Sequence, residues 1–439
     1  MTNTSAKRLI PEHLCARCGA CVPACPHGVL ALDAKLFPYY ARESACTQCR
    51  RCLAVCPGVA VDFRAPAADG IVIHPLLGAY RDVYQACSRD TAIRERASSG
   101  GAVTALLSQG LRTGVFDAVL AVTMCAGEPT RAGFALITDP AEVERSGQAK
   151  YQIAHLAEVL PEIRLHDRVA VVGLPCHIHA LRKFEALEPD LGRRIAVRLG
   201  TFCNGVCERE GTLYLLRRLG VRPESVRRLE YRRGPWPGSL HVERTDGAPL
   251  AVRRDVYGAL LYLYLAERCL YCIDQAAEQA DLSFGDAKTA NARGAGRWSH
   301  LVVRTATGAD LFERLGDGLE VEPAKAAEIV GDQAYQFDFK KRRAFLRMRH
   351  LRLAPEYALA EPPAASGGRF REALFMVAYR YRPLARWILA AVPRAILWEI
   401  SRRFFGCIRR RRSAGSPGVS SPETQRQANR SDHDDGFDH

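Results

Sequence analysis

Cysteines that could bind a metal centre are concentrated in two runs near the start of the chain, CARCGACVPACPHGV from Cys15 and CTQCRRCLAVCPGV from Cys46. Each run has the spacing C-x-x-C-x-x-C-x-x-x-C-P, which is typical of 4Fe-4S binding. Soft thiolates at such tight spacing suit iron–sulfur clusters, whereas a zinc site usually takes two ligands from each of two separated pairs. The duplicated signature therefore predicts two 4Fe-4S clusters, and the alternatives are zinc or cysteines without metal.

The fourth cysteine of each run is predicted to cross to the other cluster. In two-cluster ferredoxins the first three cysteines of one run bind one cubane, and the fourth binds the second cubane. We therefore expect residues 1–64 to form a small bacterial-ferredoxin-like domain, which passes single electrons but does not by itself transform a substrate. The two predicted ligand sets are Cys15, Cys18, Cys21 and Cys56, and Cys46, Cys49, Cys52 and Cys25.

Length and composition indicate a globular protein of two or three domains, since the chain has 439 residues and is 48% apolar. The sequence opens without the apolar stretch of a secretory signal, and no run of roughly 18 apolar residues occurs. We therefore expect a cytoplasmic protein. Its sixteen cysteines would then be reduced thiols unless they bind metal, because disulfide-stapled secreted domains form a different class.

The body of the chain alternates strand-like and helix-like segments after a Pro/Gly/Ala-rich linker, which we place at residues 65–78. The runs DAVLAVTMC and RVAVVGLPC are β-branched and strand-like, and HIHALRKFEAL has helical spacing. Further along, Thr245–Gly247 predicts a hairpin turn between two strands. The predicted fold class is α+β, with a mixed α/β body at residues 79–352.

Four later cysteines lie where a sheet would bind a ligand. Cys176 and Cys203 each follow directly on a predicted strand, and open α/β sheets bind ligands at the carboxyl ends of their strands. Cys269 and Cys272 form a C-x-x-C pair between a helix-like stretch and a strand. Such a pair could be a redox dithiol, a zinc half-site or a chance occurrence. Alternatively, the four cysteines together could bind a third cubane.

Four motifs of the body, taken in order, resemble a known family. They are RERASSGGAVTALLSQGL, VAVVGLPCHIHALRKF, RLGTFCNGV and CLYCIDQAAEQADLSFGDAK. Together they resemble the beta-subunit family of deazaflavin-coenzyme (F420) hydrogenases and dehydrogenases, with a ferredoxin-like domain in front. The resemblance implies a bound FAD and a third 4Fe-4S cluster, whose ligands would be Cys176, Cys203, Cys269 and Cys272. This sequence departs from the usual pattern at Cys207, which could replace one of the four.

The function implied by the resemblance is that of an iron–sulfur flavoprotein oxidoreductase, with hydride exchange to a deazaflavin or a related low-potential acceptor. A flavin accepts two electrons as hydride and releases them one at a time, so it joins such an acceptor to one-electron clusters. The expected partner is a ferredoxin-like or other redox protein, and the direction of electron flow stays open. No catalytic acid or base is assigned.

Two other function classes compete with this interpretation. The chain could be a non-catalytic electron-transfer subunit of a larger complex, because no obvious acid/base pair occurs in the sequence. The net charge of +14 also suggests a nucleic-acid-binding protein. Because the arginines sit in one aromatic-rich segment, we expect no nucleic-acid partner.

Three segments are candidates for contacting the flavin. Ser98, Ser99, Gly100 and Gly101 open a helix-like stretch and could bind a pyrophosphate, although they could also be a simple N-cap. Lys150 offers a cation for phosphate or reduced flavin, or is an ordinary surface lysine. Gly285 and Asp286 end a predicted strand and could touch ribose or flavin, or form only a turn.

Two histidines follow Cys176 directly. His177 and His179 could protonate a substrate or hydrogen-bond a cluster, but the favoured interpretation is surface groups at a helix N-terminus. Trp236 and Tyr231 could line an aromatic-cofactor pocket, with core packing as the safer interpretation. The isolated cysteines are interpreted as structural or incidental: Cys87, Cys125 and Cys407.

The C-terminal part of the sequence is strongly basic. Residues 353–412 contain arginines interleaved with aromatic and aliphatic residues, which predicts amphipathic helices broken at Pro383 and Pro393. Such helices in 369–412 could contact the inner membrane surface, or could pack on their own domain or on an acidic partner. Residues 413–439 form a polar tail that we expect to be disordered.

Overall fold

The computed structural model describes residues 7–64, 69–292, 297–359 and 368–392. The strands of these residues, numbered along the chain, are β1 (Leu30–Leu32), β2 (Pro38–Tyr40), β3 (Ala60–Asp62), β4 (Val72–His74), β5 (Gly78–Tyr80), β6 (Asp82–Ser88), β7 (Ala118–Cys125), β8 (Glu128–Ile137), β9 (Val169–Gly173), β10 (Ile195–Thr201), β11 (Val226–Arg233), β12 (Ser239–Arg244), β13 (Leu250–Arg253), β14 (Leu282–Asp286), β15 (Ser299–Val303), β16 (Leu319–Pro323) and β17 (Glu356–Ala358).

The helices are numbered in the same way. They are α1 (Arg51–Ala54), α2 (Thr91–Arg96), α3 (Ala102–Arg112), α4 (Pro140–Ser146), α5 (Pro175–Leu187), α6 (Pro189–Gly192), α7 (Arg209–Arg218), α8 (Arg254–Tyr262), α9 (Lys288–Ala292), α10 (Ala306–Leu315), α11 (Ala326–Asp332), α12 (Ala334–Phe337), α13 (Ala344–Met348), α14 (Arg369–Arg380) and α15 (Arg382–Ala391).

A mixed sheet of eight strands organises the body, in the order β16-β6-β15-β14-β10-β9-β7-β8. The central strands β14, β10, β9 and β7 are parallel, and the outer neighbours pair in antiparallel fashion. The β-branched run of β9 is largely buried, which suits a parallel strand covered on both faces. The prediction of a mixed α/β body is therefore confirmed, and β9, β10 and β14 all end at the same edge of the sheet.

A second sheet of three antiparallel strands, β11-β12-β13, lies beside the body. Its last two strands pair from Ser239 with Arg253 to Val242 with Leu250. The hairpin predicted around Thr245–Gly247 is therefore confirmed. The turn bends the chain back so that β13 leads directly into α8, whose first residue is Arg254.

The N-terminal arm, residues 7–64, packs against one face of the large sheet. Leu181 and Phe184 of α5 share a hydrophobic core with Cys18 and Val55 of the arm. At its end, β3 pairs in parallel with β17, so that Val61 lies opposite Tyr357. The arm is thus held both by its own apolar side chains and by a strand that follows the body.

Two helices of the basic C-terminal segment lie within the described residues. Helices α14 and α15 are separated at Tyr381, just before Pro383, so the break predicted at that proline is confirmed. The inner face of α14 carries the buried Glu372, which pairs with Arg343 and, at 2.7 Å, with Arg347. Pro393, Cys407 and the predicted tail at 413–439 lie outside the described residues. Within the described ranges, none of the helices combines the length and apolar character that a membrane crossing needs.

Candidate functional site

Cysteines of the two arm runs lie close to one another, in the way that the predicted crossing of the fourth cysteines requires. Burial raises the pKa of Cys15 to about 12, and the Cys56 thiolate acts in the same direction. Burial also raises the pKa of Cys21 well above its usual range, and Cys56 raises it further. In the other set, burial raises the pKa of Cys52, and Cys25 contributes to the same shift. Cys56 therefore lies near the first three cysteines of the opposite run, and Cys25 lies near Cys52.

The backbone of both cysteine loops bends in the same unusual way. Arg17 and Gln48, each directly before the second cysteine of its run, have φ of 56° and 57°. Gly19 and Arg50, directly after those cysteines, have φ of 77° and 62°. A non-glycine residue in the left-handed region is strained and persists only where its surroundings require it. The Arg17 amide donates to Cys15 Sγ at 3.4 Å. Such turned-in amides suit thiolates that carry charge on a cluster.

A cavity brings the other four candidate cysteines together. Cys176 lies in the first turn of α5 after β9, and Cys203 follows the adjacent parallel strand β10. Cys269 lies in the short 3-10 helix Glu267–Leu270. The cavity is lined by Cys176, Cys203, Cys269 and Cys272, together with Ala16 and Pro57 of the arm, His179, Arg268, Asp274, Lys340 and Tyr357 among others.

Cys207, the departure from the family pattern, lies outside this cavity lining. Its buried thiol donates to the Leu261 carbonyl oxygen at 3.2 Å and packs in the core between α7 and α8. The set that converges on the cavity is therefore the one implied by the resemblance. In the described part of the chain, no three His, Cys, Asp or Glu side chains converge as ligands of a single metal ion. A cubane spaces its thiolates more widely, because each binds a different iron.

Two buried cations face the thiolates of the cavity. Burial opposes the charge of Lys340, but the thiolates of Cys272 and Cys203 outweigh it and raise the pKa of the lysine. Arg268 donates from Nη2 to the Pro57 carbonyl oxygen of the arm at 3.1 Å. Its Nε and Nη1 atoms are buried and have no hydrogen-bond partner among the described residues. Unsatisfied buried donors of this kind suit an acceptor such as a cluster sulfur.

Arg268 also lies between the cavity and the arm. Burial raises the pKa of Cys56, and the charge of Arg268 is among the influences that lower it. On the other side, burial opposes the charge of Arg268, while Cys272 and Cys176 favour it and help to raise the pKa of the arginine. The guanidinium is therefore within electrostatic reach of one arm set and of the cavity set. Sequence reasoning missed it because arginine is abundant throughout this chain.

The two histidines after Cys176 are both buried, so the surface interpretation is wrong. His179 lines the cavity, and its Nε2 lies 2.8 Å from Asp274 Oδ2. Despite burial, the hydrogen bond from His179 helps to lower the pKa of Asp274 to about 2. His177 accepts from the Leu174 amide through Nδ1, and its Nε2 lies 3.0 Å from the Ala154 carbonyl oxygen. His177 therefore closes the start of α5, while His179 faces the cavity.

The first and second flavin candidate segments are in direct contact. The Ala149 amide, next to Lys150, donates to Ser98 Oγ at 2.8 Å. Ser99 donates to the Trp298 carbonyl oxygen at 2.6 Å, and the Gly100 amide donates to Ser299 Oγ at 2.9 Å. Gly101 is the N-cap of α3 with φ of 78°, so the alternative of a simple cap accounts for its conformation.

The third candidate segment joins this region through arginines that sequence reasoning did not single out. Gly285 and Asp286 are the last residues of β14, so the turn interpretation is wrong. A Cβ at Gly285 would lie 2.4 Å from the Phe202 ring, which explains the glycine by packing. Asp286 pairs with the buried Arg232 at 2.8 Å. Burial lowers the pKa of Arg297, and the positive charge of Arg232 lowers it further. The two guanidinium groups are therefore close to each other.

Arg297 ties the first segment to the three-stranded sheet. Its Nη1 donates to the carbonyl oxygens of Glu95 and Ala97 at 2.7 and 2.6 Å, and its Nη2 donates to that of Gly234 at 2.7 Å. Nearby, the Arg254 guanidinium lies 4.6 Å from the Tyr151 ring centroid and 5.6 Å from that of Tyr257. No carboxylate forms an ion pair with Arg254 in the part of the chain that the structure describes. We call Lys150, Arg232, Arg254 and Arg297 the basic cluster.

Unsatisfied polar atoms lie in the same segments. The Trp236 indole Nε1 and the Gln148 Oε1 are buried without a hydrogen-bond partner among the described residues. Gln148 also has φ of 97°, an unusual conformation for a residue with a side chain. Tyr231, by contrast, is a core residue whose hydroxyl accepts from Gln152 Nε2 at 2.7 Å. A cationic region with free donors and acceptors fits an anionic, hydrogen-bonding cofactor such as FAD.

Comparison with known proteins agrees with this arrangement. Residues 83–161 match the model described as the N-terminal part of the coenzyme F420 hydrogenase/dehydrogenase beta subunit. Residues 166–327 match the model of the C terminus of the same subunit. Residues 14–60 match a 4Fe-4S dicluster domain, which supports two clusters in the arm.

Two curated relatives are similar over most of the chain. A subunit of the F420H2 dehydrogenase of Methanosarcina mazei is 25% identical over 339 residues, which are 74% of this chain and 89% of the relative. The coenzyme F420-dependent sulfite reductase of Methanocaldococcus jannaschii is 25% identical over 359 residues, 76% of this chain. The match spans only 52% of the sulfite reductase.

A solved structure shares the fold. A chain of the F420-reducing [NiFe] hydrogenase complex from Methanosarcina barkeri superposes with a TM-score of 0.51 at 21% identity. The match covers 66% of this chain and 99% of that one. Together, the two matched parts of the beta subunit cover more than half of the chain. This chain therefore belongs to the coenzyme F420 hydrogenase/dehydrogenase beta subunit family, and a 4Fe-4S dicluster domain precedes the family region.

Proposed function

We propose that the protein is an FAD-dependent iron–sulfur oxidoreductase that exchanges electrons between a redox partner at its arm and a deazaflavin or related low-potential acceptor. The bound groups would supply one-electron chemistry at the cysteine sets and hydride chemistry at the flavin. The observation that carries this proposal is the order of the sites in space. The two arm sets, the cavity cysteines and the basic cluster succeed one another through the molecule.

Contacts between neighbouring sites support this order. Cys18 of the arm is among the charges that, after burial, raise the pKa of Cys176 in the cavity. Cys207 lies between the cavity and the basic cluster, since its amide donates to the Tyr151 carbonyl oxygen at 3.1 Å. Burial raises the pKa of Cys207, Cys269 adds to the shift, and Arg254 opposes it. Each site is thus connected to the next through one or two residues.

The outer end of the arm is open to a partner. Cys49 is exposed, and Cys25, Cys46 and Cys52 of the same set are half-buried. In the other arm set, Cys15, Cys18, Cys21 and Cys56 are all buried. A surface cluster suits exchange with a ferredoxin-like protein, whereas a buried one suits exchange within the chain. We therefore place partner contact at the set that contains Cys49.

The cavity would hold the third 4Fe-4S cluster on Cys176, Cys203, Cys269 and Cys272. Lys340 and Arg268 would balance the negative charge of the bound thiolates. His179, held by Asp274, would present its ring edge to the same space. The basic cluster would bind the phosphates of FAD or of the deazaflavin, with Arg254 as a cation that forms no ion pair with a carboxylate among the described residues.

A non-catalytic electron-transfer subunit is the second candidate function. It is favoured by the exposed Cys49 set and by relatives whose names describe them as subunits. Flavin content separates the two candidates. Anaerobically purified protein that holds one FAD per chain and reduces F420 supports the enzyme, whereas folded protein without flavin supports the electron-transfer subunit.

The affinity for FAD should depend on pH through Lys150. Burial lowers the pKa of Lys150 to about 8, although Glu230 opposes the shift. Below pH 8 the lysine is mostly charged and attracts an anionic cofactor, and above pH 8 it loses its proton. We therefore expect FAD affinity to fall as the pH rises from about 7 to about 9, by less than about tenfold per unit. Fluorescence titration of the flavin measures this, and Lys150→Met should bind more weakly with a flat profile over the same range.

Arg268 should set the potentials of the two neighbouring clusters. Replacing Arg268 with Gln removes a buried positive charge, so both clusters should become harder to reduce, by about 50 mV. EPR-monitored redox titration reads these potentials directly, independent of turnover. Arg268→Lys should return both potentials most of the way to their wild-type values. The control Arg193→Gln, at an exposed arginine, should leave the EPR spectra unchanged. Unaltered potentials in Arg268→Gln would show that the guanidinium does not act between the clusters.

A further inference from the structure

The outward faces of α14 and α15 expose a row of large apolar side chains. Phe370, Leu374 and Trp387 are 84%, 60% and 75% exposed. Soluble surfaces rarely leave so many large apolar groups together without a binding role. We call this row the apolar stripe, and its members are Phe370, Leu374, Val377, Tyr381, Leu384, Trp387 and Ile388.

The spacing of the apolar stripe makes it continuous across both helices. Most of its members follow one another at intervals of three or four residues, which places them on one helical face. Tyr381, between the helices, donates its amide to the Val377 carbonyl oxygen and accepts from the Ala385 amide, each at 3.1 Å, so helical hydrogen bonding continues across the junction. With a rise of about 1.5 Å per residue, the stripe extends over roughly 25–30 Å.

The opposite faces of the two helices are fixed to the body. The Phe375 ring lies 5.7 Å from that of Phe339, and Tyr379 donates to the Leu265 carbonyl oxygen at 2.9 Å. Arg386 Nε donates to the Leu263 carbonyl oxygen at 2.9 Å. Because the inner face is anchored, the stripe points away from the molecule and does not belong to its core.

Charge around the apolar stripe is positive. The exposed charged residues of the two helices are Arg371 and Arg380, and the one acidic residue of 368–392, Glu372, is buried against arginines. The next twenty residues in the sequence, 393–412, add seven arginines and one glutamate. Arginine with Trp, Phe and Leu, and without an exposed acid in 368–392, is the composition of helices that lie in anionic membrane surfaces.

We propose that the apolar stripe rests in the interfacial region of an anionic lipid bilayer and holds the protein at the membrane surface. The contact lies in the membrane plane, since no described helix can cross it. A protein interface would show its apolar residues inside a polar rim, whereas the exposed charges described beside the stripe are those of arginines. The stripe lies beyond residue 327, where the family models end, and none of its residues lines the cavity or belongs to the basic cluster.

Vesicle flotation with the full chain tests this proposal. Vesicles of phosphatidylcholine alone are compared with vesicles that also contain phosphatidylglycerol, at about 0.15 M salt. We expect wild-type protein to float with the anionic vesicles. The double variant Leu384→Glu/Trp387→Glu should bind them at least about tenfold more weakly, because each glutamate removes apolar contact and repels the anionic surface. Phe370→Glu/Leu374→Glu should lose binding in the same way.

A charge-matched control distinguishes the loss of the stripe's apolar contact from a general effect of added negative charge. Leu165→Glu/Ile73→Glu adds the same two charges at apolar residues exposed elsewhere, and it should float as wild type does. Iron and flavin contents equal to wild type show that the variants are folded, whichever redox function holds. Wild type that stays off anionic vesicles, or stripe variants that float unchanged, overturns the proposal. Stripe variants that lose a co-purifying protein while vesicle binding persists would likewise overturn it in favour of a subunit interface.

Discussion

Replacing Cys176 with Ser should lower the iron content from about twelve to about eight atoms per chain and leave both arm clusters in place. The reason is that Cys176 lines the cavity with Cys203, Cys269 and Cys272, while the arm sets use none of these residues. Without the middle site, electrons given to the arm should reach the flavin at a small fraction of the wild-type rate. Iron and sulfide analysis with EPR measures the first effect, and stopped-flow spectroscopy measures the second.

Cys207 provides the matched control for this experiment. Cys207→Ser keeps a hydroxyl donor for the Leu261 carbonyl oxygen, so the core should fold unchanged. We expect this variant to keep about twelve irons. The opposite result, with iron lost in Cys207→Ser and kept in Cys176→Ser, would exchange the two residues in the ligand set. About eight irons per chain in the wild type would show that the protein binds no third cluster.

Replacing Arg254 with Leu should weaken FAD binding by about 10–100-fold. A hydrogen bond between charged groups contributes about 1.5–3 kcal/mol, and each 1.4 kcal/mol is tenfold in affinity. In the described ranges no acidic side chain pairs with Arg254, whose neighbours are the rings of Tyr151 and Tyr257, so no carboxylate competes with an anionic cofactor for its charge. Isothermal titration or fluorescence of the apoprotein measures the dissociation constant.

The neighbouring Arg253, the last residue of β13, gives a matched control. Its side chain is exposed and pairs with Asp255 at 2.7 Å. Arg253→Leu should therefore bind FAD as the wild type does, although it loses the same charge one residue away. Equal affinities in Arg253→Leu and Arg254→Leu would place the cofactor phosphates outside the basic cluster.

Local patterns in the sequence predicted much of the fold. The β-branched runs that became β7, β9 and β10 are continuous in the chain, so their periodicity is readable without tertiary contacts. The assignment of the arm cysteines rests on the repeated C-x-x-C-x-x-C-x-x-x-C-P spacing, which is visible in the sequence without tertiary contacts. The break between α14 and α15 follows from Pro383 in the same way.

Contacts between distant residues could not be predicted. The pairing of β3 with β17 joins residues almost three hundred positions apart, and nothing in either short strand specifies the other. Arg232, Arg254, Arg268 and Arg297 are ordinary members of an arginine-rich chain until the fold places them. Gly100 looked like part of a phosphate loop, yet a Cβ there would lie 2.5 Å from the Ala86 carbonyl oxygen.

The burial of His177 and His179 was also beyond local reasoning. A histidine near a helix N-terminus is usually solvated, and the favoured interpretation rested on that tendency. Here the fold covers both rings: His177 packs edge-on against Phe134 of β8, and His179 packs edge-on against Phe63 of the arm. Burial lowers the pKa of His177 to about 4, so this ring is neutral at physiological pH.

The central claim is that electrons move between the arm clusters and a flavin held by the same chain. Stopped-flow mixing of anaerobic protein with a reduced ferredoxin tests it most directly, with cluster and flavin absorbance followed together. We expect the clusters to be reduced first and the visible flavin band to bleach afterwards. This later bleaching of the flavin should be lost in Cys176→Ser. Reduced clusters beside a flavin band that stays unchanged in the wild type would contradict it.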